Sequence, residues 1–130
     1  MIIGIGTDLV GIERIARVLQ GRHGELFLRR VLTKNELAML ETRNKQPSRV
    51  NEFVAGRWAA KEAVAKALGC GIGAMVAFSD IEVLGNELGQ PIGRLSNVAQ
   101  RRLGAQQLRI HISISHAEGF AVAYALIERG

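Results

Sequence analysis

The chain has 130 residues, of which 48% are hydrophobic and 22% charged. This length fits a single domain over residues 1–130, and this composition excludes global disorder. No apolar run reaches the roughly 18 residues that a membrane-spanning helix needs, and the N-terminus lacks the basic region of a signal peptide. The only cysteine, Cys70, excludes an internal disulfide and argues against structural zinc. We therefore expect a cytoplasmic protein without a membrane partner.

The net charge of +5 is concentrated in one part of the chain. Between residues 14 and 49 there are nine Lys or Arg residues and three acidic ones, a net +6. A one-sided basic surface favours an acidic partner, which can be a nucleic acid, an anionic lipid, a phosphorylated ligand or an acidic protein. An ordinary solvated face has the same composition, so charge alone leaves these possibilities open.

The first half of the chain is predominantly helical in pattern. Residues 2–7 predict a short apolar strand, and residues 10–19 have the periodicity of an amphipathic helix. Thr33 and Glu36 have the spacing of a capping box, which predicts a helix over 34–43.

A polar loop and a long helix follow. The loop is predicted at residues 44–48 because Pro47 interrupts the pattern. Residues 51–68 are rich in alanine and contain no proline, and Gly69 is placed as a C-terminal cap. We therefore predict one central helix here.

The second half favours strands. Two strands flank a glycine-bounded turn and predict a hairpin, and a cleanly alternating strand precedes a final apolar strand. Helices in one half and antiparallel strands in the other indicate an α+β fold. The predicted elements are strands at 81–84, 92–95, 108–115 and 120–127, and a short helix from Ser96 to Gly104.

Three segments hold residues with chemical potential. Asp8 follows the first strand, where strand ends build sites, although for this residue taken alone a turn-stabilising role is the favoured interpretation. On the long helix, Lys61, Glu62 and Lys66 share a face, and the lysines beside a glycine loop are typical of phosphate binding. A surface ion pair between Glu62 and Lys66 is the plainer alternative. Near the C-terminus, His116 follows a serine, but no nucleophile elbow indicates a hydrolase.

Read together, these segments resemble the 4′-phosphopantetheinyl transferase superfamily, in its small bacterial holo-acyl-carrier-protein synthase branch. The resemblance covers almost the whole chain. Three motifs carry it: Gly6-Thr7-Asp8 with Arg14, then Phe53-Val54-Ala55-Gly56-Arg57-Trp58-Ala59-Ala60-Lys61-Glu62-Ala63, and Ser113-Ile114-Ser115-His116.

The resemblance implies a fold and an activity. The expected fold is an antiparallel sheet packed against a long central helix, and the expected reaction moves phosphopantetheine from coenzyme A to a serine of an acidic acyl carrier protein. Asp8 and Glu62 are implied as ligands of Mg²⁺, with Mn²⁺ as a substitute, and carboxylates are ligands that this ion prefers. Glu62 is further implied to help remove the serine proton, and Lys61 to neutralise phosphate charge.

The resemblance also implies two binding surfaces. The implied coenzyme A contacts are Arg57, Lys61, Ala65, Lys66, Gly69, Cys70, Gly71 and His116. The implied carrier-protein contacts are Arg14, Arg22, Phe27, Arg29 and Arg30. Ala65 and Cys70 stand where hydroxyl-bearing residues are frequent in this branch, and Gln90 stands where a lysine is usual.

A homotrimer with active sites between chains is the expected assembly. The small branch is implied to be trimeric, and residues 120–127 lack polar alternation, so both faces of this strand need cover. The alternative is a monomer in which the long helix covers one face and the N-terminal helices the other.

Two other functions compete with this interpretation. A basic nucleic-acid-binding domain explains the charge, but it gives Asp8 and the Lys61-Glu62 segment no role and lacks an aromatic platform beyond Phe27. A non-catalytic subunit that binds carrier proteins keeps the fold, but the intact pair of carboxylates argues against it.

Overall fold

A computed structural model describes residues 1–43, 45–104 and 107–130. The described part of the chain forms five strands, five helices and a 3₁₀ turn at Phe78–Asp80. The strands are β1 (Ile2–Gly11), β2 (Ile81–Gly85), β3 (Pro91–Leu95), β4 (Leu108–Ala117) and β5 (Phe120–Arg129). The helices are α1 (Ile12–Gln20), α2 (Gly24–Val31), α3 (Lys34–Glu41), α4 (Pro47–Ala67) and α5 (Asn97–Leu103).

The strands form one antiparallel sheet in the order β1-β5-β4-β3-β2, which confirms the α+β prediction. β5 pairs with both of its neighbours, β1 and β4, along nearly its whole length. In contrast, the described residues of β3 and β4 pair only at Ile92 and His111. A two-residue turn joins β4 to β5, and both of its residues, Glu118 and Gly119, have positive φ. This backbone twist matches the twist of the flanking strands, so the hairpin is tight.

The long helix α4 lies across one face of the sheet and forms the centre of the core. Its alanines and valines are buried against the inner face of β5, whose inward residues are mostly alanine. Small residues on both elements let the helix approach the sheet closely. The helix begins at Pro47, four residues earlier than predicted, because proline is tolerated in the first turn of a helix.

Other element boundaries also differ from the sequence prediction. β1 continues to Gly11 because β5 pairs with it along that whole length, so Asp8 lies inside the strand and not after it. The predicted helix over 34–43 ends at Glu41, and of the predicted loop at 44–48, residue Asn44 lies outside the described residues. The Thr33–Glu36 capping box is present as predicted. None of the helices in the described ranges has both the length and the apolar character needed to cross a membrane.

Candidate active site

Two glycines bring β1 into close contact with α4. A Cβ atom on Gly6 would overlap the carbonyl oxygen of Ala63 and lie 2.8 Å from the amide nitrogen of Ala67. A Cβ atom on Gly4 would likewise overlap the carbonyl oxygen of Ala67. Only glycine fits at these two positions, and the close approach sets the distance between Asp8 and the last turns of α4.

Asp8 faces α4 and forms an ion pair there. It lies opposite Ala123, whose side chain is buried on the inner face of the sheet. The ammonium of Lys66 lies 3.1 Å from Asp8 Oδ1 and 3.0 Å from the carbonyl oxygen of Thr7. Lys66 therefore pairs with β1, so the plainer interpretation of a surface pair with Glu62 is not what the structure contains.

Glu62 lies one helical turn before Lys66 and belongs to the same cluster. Its pKa is raised above the ordinary value, first because burial disfavours the charged form and second because the Asp8 carboxylate repels it; Lys66 opposes both effects. The two carboxylates thus interact electrostatically, as two ligands of one cation do. Among the described residues, no three His, Cys, Asp or Glu side chains are grouped so as to hold a metal ion. A bound metal at Asp8 and Glu62 would need further ligands from water or substrate.

Lys61, in contrast, does not reach this surface, so its burial does not support the predicted contact with phosphate, which stays a prediction. Its side chain is completely buried, with the ammonium 2.6 Å from Glu36 Oε1. It also donates to the carbonyl oxygens of Val31 and Phe78, at 2.6 and 3.1 Å. Burial lowers the pKa of Lys61, and the Glu36 carboxylate opposes that shift. The ammonium has three protein partners and is not exposed to solvent.

The other partner of this buried pair, Glu36, connects three segments. Oε1 accepts a hydrogen bond from the backbone of Thr33, and Oε2 accepts one from the backbone of Val83 in β2. Through Lys61, the same carboxylate holds α4. The Lys61–Glu36 pair therefore fixes α4 against α3 and β2. The position of Glu36 in the first turn of α3 did not indicate this structural role.

The glycine loop after α4 does not offer its backbone to an anion. The N–H groups of Gly69, Cys70 and Gly71 donate to the carbonyl oxygens of Lys66 and Ala65 at the end of α4. Gly69, the residue directly after the C-cap, has the positive φ that is common at this type of helix end, and Gly71 also has positive φ. Ala65 itself is completely buried, so its burial does not support the predicted contact with coenzyme A, which stays a prediction. Surface contacts of Gly69 and Cys70, which are exposed, stay a prediction.

A second candidate cluster surrounds a cleft of about 400 Å³ beside the N-terminal half of α4. It holds the predicted residues Arg57 and His116, together with two arginines that the motifs did not indicate, Arg43 and Arg49. The only signal for those two was the local basic excess. The complete lining comprises Leu40, Arg43, Arg49, Glu52, Phe53, Arg57 and His116.

Arg57 and His116 are held in place by backbone groups. Arg57 Nε donates to the carbonyl oxygen of Val83 at 3.1 Å, and its guanidinium lies 4.5 Å from the Phe53 ring centre. Burial lowers the Arg57 pKa to about 10, with Glu36 opposing the shift, so the guanidinium stays charged near neutral pH. The His116 Nε2 atom lies 3.0 Å from the carbonyl oxygen of Glu52. The cleft thus presents fixed positive charge suited to an anion.

The carboxylate cluster and the arginine cleft lie toward opposite edges of the sheet. Lys66 bonds to β1 and Arg57 bonds to β2, and these are the two edge strands. Neither Asp8 nor Glu62 lines the cleft. One chain therefore holds the two clusters at separate places.

The predicted carrier-protein surface lies on α1 and α2. Its four arginines are exposed, but Phe27 is half-buried and stacks on Trp58 with ring centres 5.6 Å apart. The exposed apolar residue beside it is Leu26, 66% exposed, which the motifs did not indicate. A small groove here is lined by Val18, His23, Leu26, Phe27 and Arg30.

Comparison with known proteins gives one consistent result. A family model described as the 4′-phosphopantetheinyl transferase superfamily matches residues 4–125. A holo-[acyl-carrier-protein] synthase from Bacillus cereus (strain G9842) is 45% identical over 130 residues, covering 98% of this chain and 97% of its own length.

Solved structures agree. A holo-(acyl-carrier-protein) synthase from Bacillus anthracis, crystallised in complex with CoA (3′,5′-ADP), superposes with a TM-score of 0.83 at 42% identity, covering 100% of this chain and 99% of its own. The holo-[acyl-carrier-protein] synthase from Neisseria meningitidis superposes with a TM-score of 0.85 at 35% identity, covering 99% and 100%.

Proposed function

Because this chain belongs to the 4′-phosphopantetheinyl transferase superfamily, we propose that it transfers 4′-phosphopantetheine from coenzyme A to a serine of an apo-acyl carrier protein. The products are the holo-carrier protein and adenosine 3′,5′-bisphosphate, the reaction serves fatty acid biosynthesis, and the enzyme works in the cytoplasm. The observation that carries the proposal is the pair Asp8 and Glu62, which interact across the contact between β1 and α4. The basic charge then serves coenzyme A and an acidic protein, not a nucleic acid.

The Asp8–Glu62 pair fits Mg²⁺, or Mn²⁺ in its place. Mg²⁺ takes one or two carboxylates, keeps several waters and binds substrate phosphate, so two carboxylates suffice from the protein. The pair already has a cation beside it, because the Lys66 ammonium forms an ion pair with Asp8. When bound, the ion neutralises charge on the diphosphate of coenzyme A.

The chain's own residues supply the remaining chemistry. The serine hydroxyl must lose its proton as it attacks phosphorus, and Glu62 accepts that proton. Asp8 binds the ion and holds Glu62 in a negative environment, and Lys66 supplies the positive charge that Lys61, being buried, cannot supply.

The second cluster, the arginine cleft, binds the phosphates at the nucleotide end of coenzyme A. Arg57 and His116 act from fixed positions, and Arg43 and Arg49 add charge around them. Since this cleft and the carboxylate pair lie toward opposite edges of one chain, we place the complete site between two chains.

A homotrimer supplies such a site. On β1 and β5, one row of side chains faces away from α4: Ile5, Leu9, Phe120, Val122 and Tyr124, which we term the outer sheet face. All five are between 38% and 61% exposed, because α1 and α2 pack against α4 and not against this face. Exposed apolar surface of this kind is typical of association between chains.

The carrier protein docks on α1 and α2. Arg14, Arg22, Arg29 and Arg30 form a charged rim, and Leu26 with Phe27 forms the apolar centre. An apolar centre with a basic rim complements an acidic protein surface.

The catalytic proposal is tested by mass transfer from coenzyme A to an apo-acyl carrier protein, with and without Mg²⁺. Asp8→Asn and Glu62→Gln should each lower turnover by orders of magnitude while the circular dichroism spectrum is unchanged. Glu13→Gln, at an exposed position on α1, is the matched control and should behave as the wild type. Metal-dependent turnover near the wild-type rate in either site variant would remove the pair from the mechanism.

The assembly is tested by light scattering. A monomer has a mass of 14.1 kDa, and a trimer has about 42 kDa. Val122→Glu should dissociate the trimer and abolish turnover. Val98→Glu, at a valine on α5 that is 48% exposed against 38% for Val122, should change neither. A fully active wild-type monomer would contradict both the trimer and the shared site.

A further inference from the structure

Lys66 occupies an unusual position for a surface lysine. Its ammonium donates to one carboxylate oxygen of Asp8 and to the backbone carbonyl of Thr7, and both acceptors belong to β1. Half of the Lys66 side chain is exposed, while only 15% of the Asp8 side chain is. The ammonium therefore closes the solvent side of a carboxylate that the protein otherwise surrounds.

The carboxylates need a cation at this place. Glu62 is close enough to Asp8 for the two negative charges to repel each other, and Lys66 is the cation that opposes this repulsion. Without a positive charge on Asp8, the contact between β1 and α4 would bring two like charges together in a partly buried site.

We propose that Lys66 is the resident counter-cation of Asp8 and that a divalent ion must displace its ammonium to bind between Asp8 and Glu62. This inference rests on the proposed role of the carboxylate pair as metal ligands. Metal binding and release of the lysine are then a single exchange, which keeps the site neutralised before the ion arrives and frees the ammonium when it does.

The surroundings of Lys66 suit such an exchange. Two protein acceptors in β1 hold its ammonium, and half of the side chain is exposed to solvent. Lysine carries a compact charge on a flexible stem, so the ammonium can leave without moving α4. Lys61 is the contrast, because its three acceptors are all protein groups in the core.

The test measures the binding of Mn²⁺ in the absence of coenzyme A. Binding is detected by electron paramagnetic resonance as a loss of the signal of free Mn²⁺. Lys66→Met removes the competitor and should tighten Mn²⁺ binding by up to about fivefold, in line with the contribution of a half-exposed ion pair. Lys34→Met is the matched control, because it removes the same charge from an exposed position on α3. A through-space effect of net charge fades with added salt, whereas direct competition at 3.1 Å is screened much less.

A second measurement follows the lysine itself. The wild-type protein is treated with an amine-acylating reagent, with and without Mg²⁺, and the modification of Lys66 is measured by mass spectrometry relative to Lys34. Displacement predicts that Mg²⁺ increases acylation of Lys66 alone.

The outcomes separate this inference from the proposed function. Tighter Mn²⁺ binding by Lys66→Met alone, retained in salt, supports the exchange. Equal Mn²⁺ affinity in wild type and Lys66→Met, or equal gains in both lysine variants, overturns the exchange and leaves the metal pair standing. If neither wild type nor Lys66→Met binds Mn²⁺ and Asp8→Asn still turns over normally, the metal pair is wrong and the exchange fails with it.

Discussion

Gly6→Ala tests the idea that the close approach of β1 to α4 positions Asp8. The added methyl would lie 2.8 Å from the amide nitrogen of Ala67, where 3.4 Å is the lower limit of ordinary contact, and it would overlap the carbonyl oxygen of Ala63. Both obstacles are backbone atoms of a helix, so they cannot rotate away. The amide contact alone requires a shift of about 0.6 Å and the carbonyl requires more, so we expect β1 to move away by about 1 Å, an overpacking cost of about 1–3 kcal/mol.

Asp8 lies two residues further along the same strand and should move with it. A displacement of about 1 Å from productive geometry costs roughly 100-fold in rate. We therefore expect Gly6→Ala to lower turnover about 100-fold and to weaken Mn²⁺ binding, while urea denaturation shows a cooperatively folded protein with reduced stability.

Gly11→Ala is the control in the same strand. A Cβ atom there meets nothing within 4 Å, so stability and turnover should stay near the wild-type values. If Gly6→Ala matches Gly11→Ala in stability, metal affinity and turnover, the close approach does not position Asp8 and the argument from the glycine contact fails.

Three further predictions follow from the charges. Lys61→Met leaves the Glu36 carboxylate buried without its cation and should lower the free energy of unfolding by about 3–5 kcal/mol in urea; a loss below about 1 kcal/mol would contradict the buried ion pair. Because the folded state raises the pKa of Glu62 and so holds its proton more tightly than the unfolded state, the stability of the metal-free protein should fall as the pH rises from the ordinary pKa through the raised one. Thermal denaturation should show this fall in the wild type and not in Glu62→Gln. Charge reversal at Arg14 and Arg30 should raise the KM for the carrier protein about tenfold at low salt and leave the KM for coenzyme A unchanged; equal damage to both would indicate misfolding instead.

Signals that depend on nearby residues predicted this protein well. The Thr33–Glu36 capping box, the Gly69 helix end and the hairpin between β2 and β3 all appear in the structure. Each is decided within a few residues by hydrogen bonds or backbone conformation, so spacing along the chain is sufficient evidence. Asp8 and Glu62 were also predicted from the sequence, because the motifs around them are specific, and their role in a site stays a prediction.

The roles of the two lysines needed the tertiary structure. Lys61 and Lys66 lie on a helix whose pattern shows little difference between one side and another, since neighbours surround most of α4. Helical periodicity therefore placed both at one surface, whereas packing buried Lys61 under α2 and α3 and left Lys66 beside β1.

The proposed extent of the site and its proposed sharing between chains also rest on packing. Arg43 and Arg49 join Arg57 and His116 only because α3, α4 and the end of β4 meet at one cleft. The sequence indicated that both faces of the strand at residues 120–127 need cover. It did not indicate which face other segments of the same chain would cover. The structure places alanines against α4 and leaves Phe120, Val122 and Tyr124 exposed. Burial is decided by which distant segments pack together, and residue spacing alone carries no information about that.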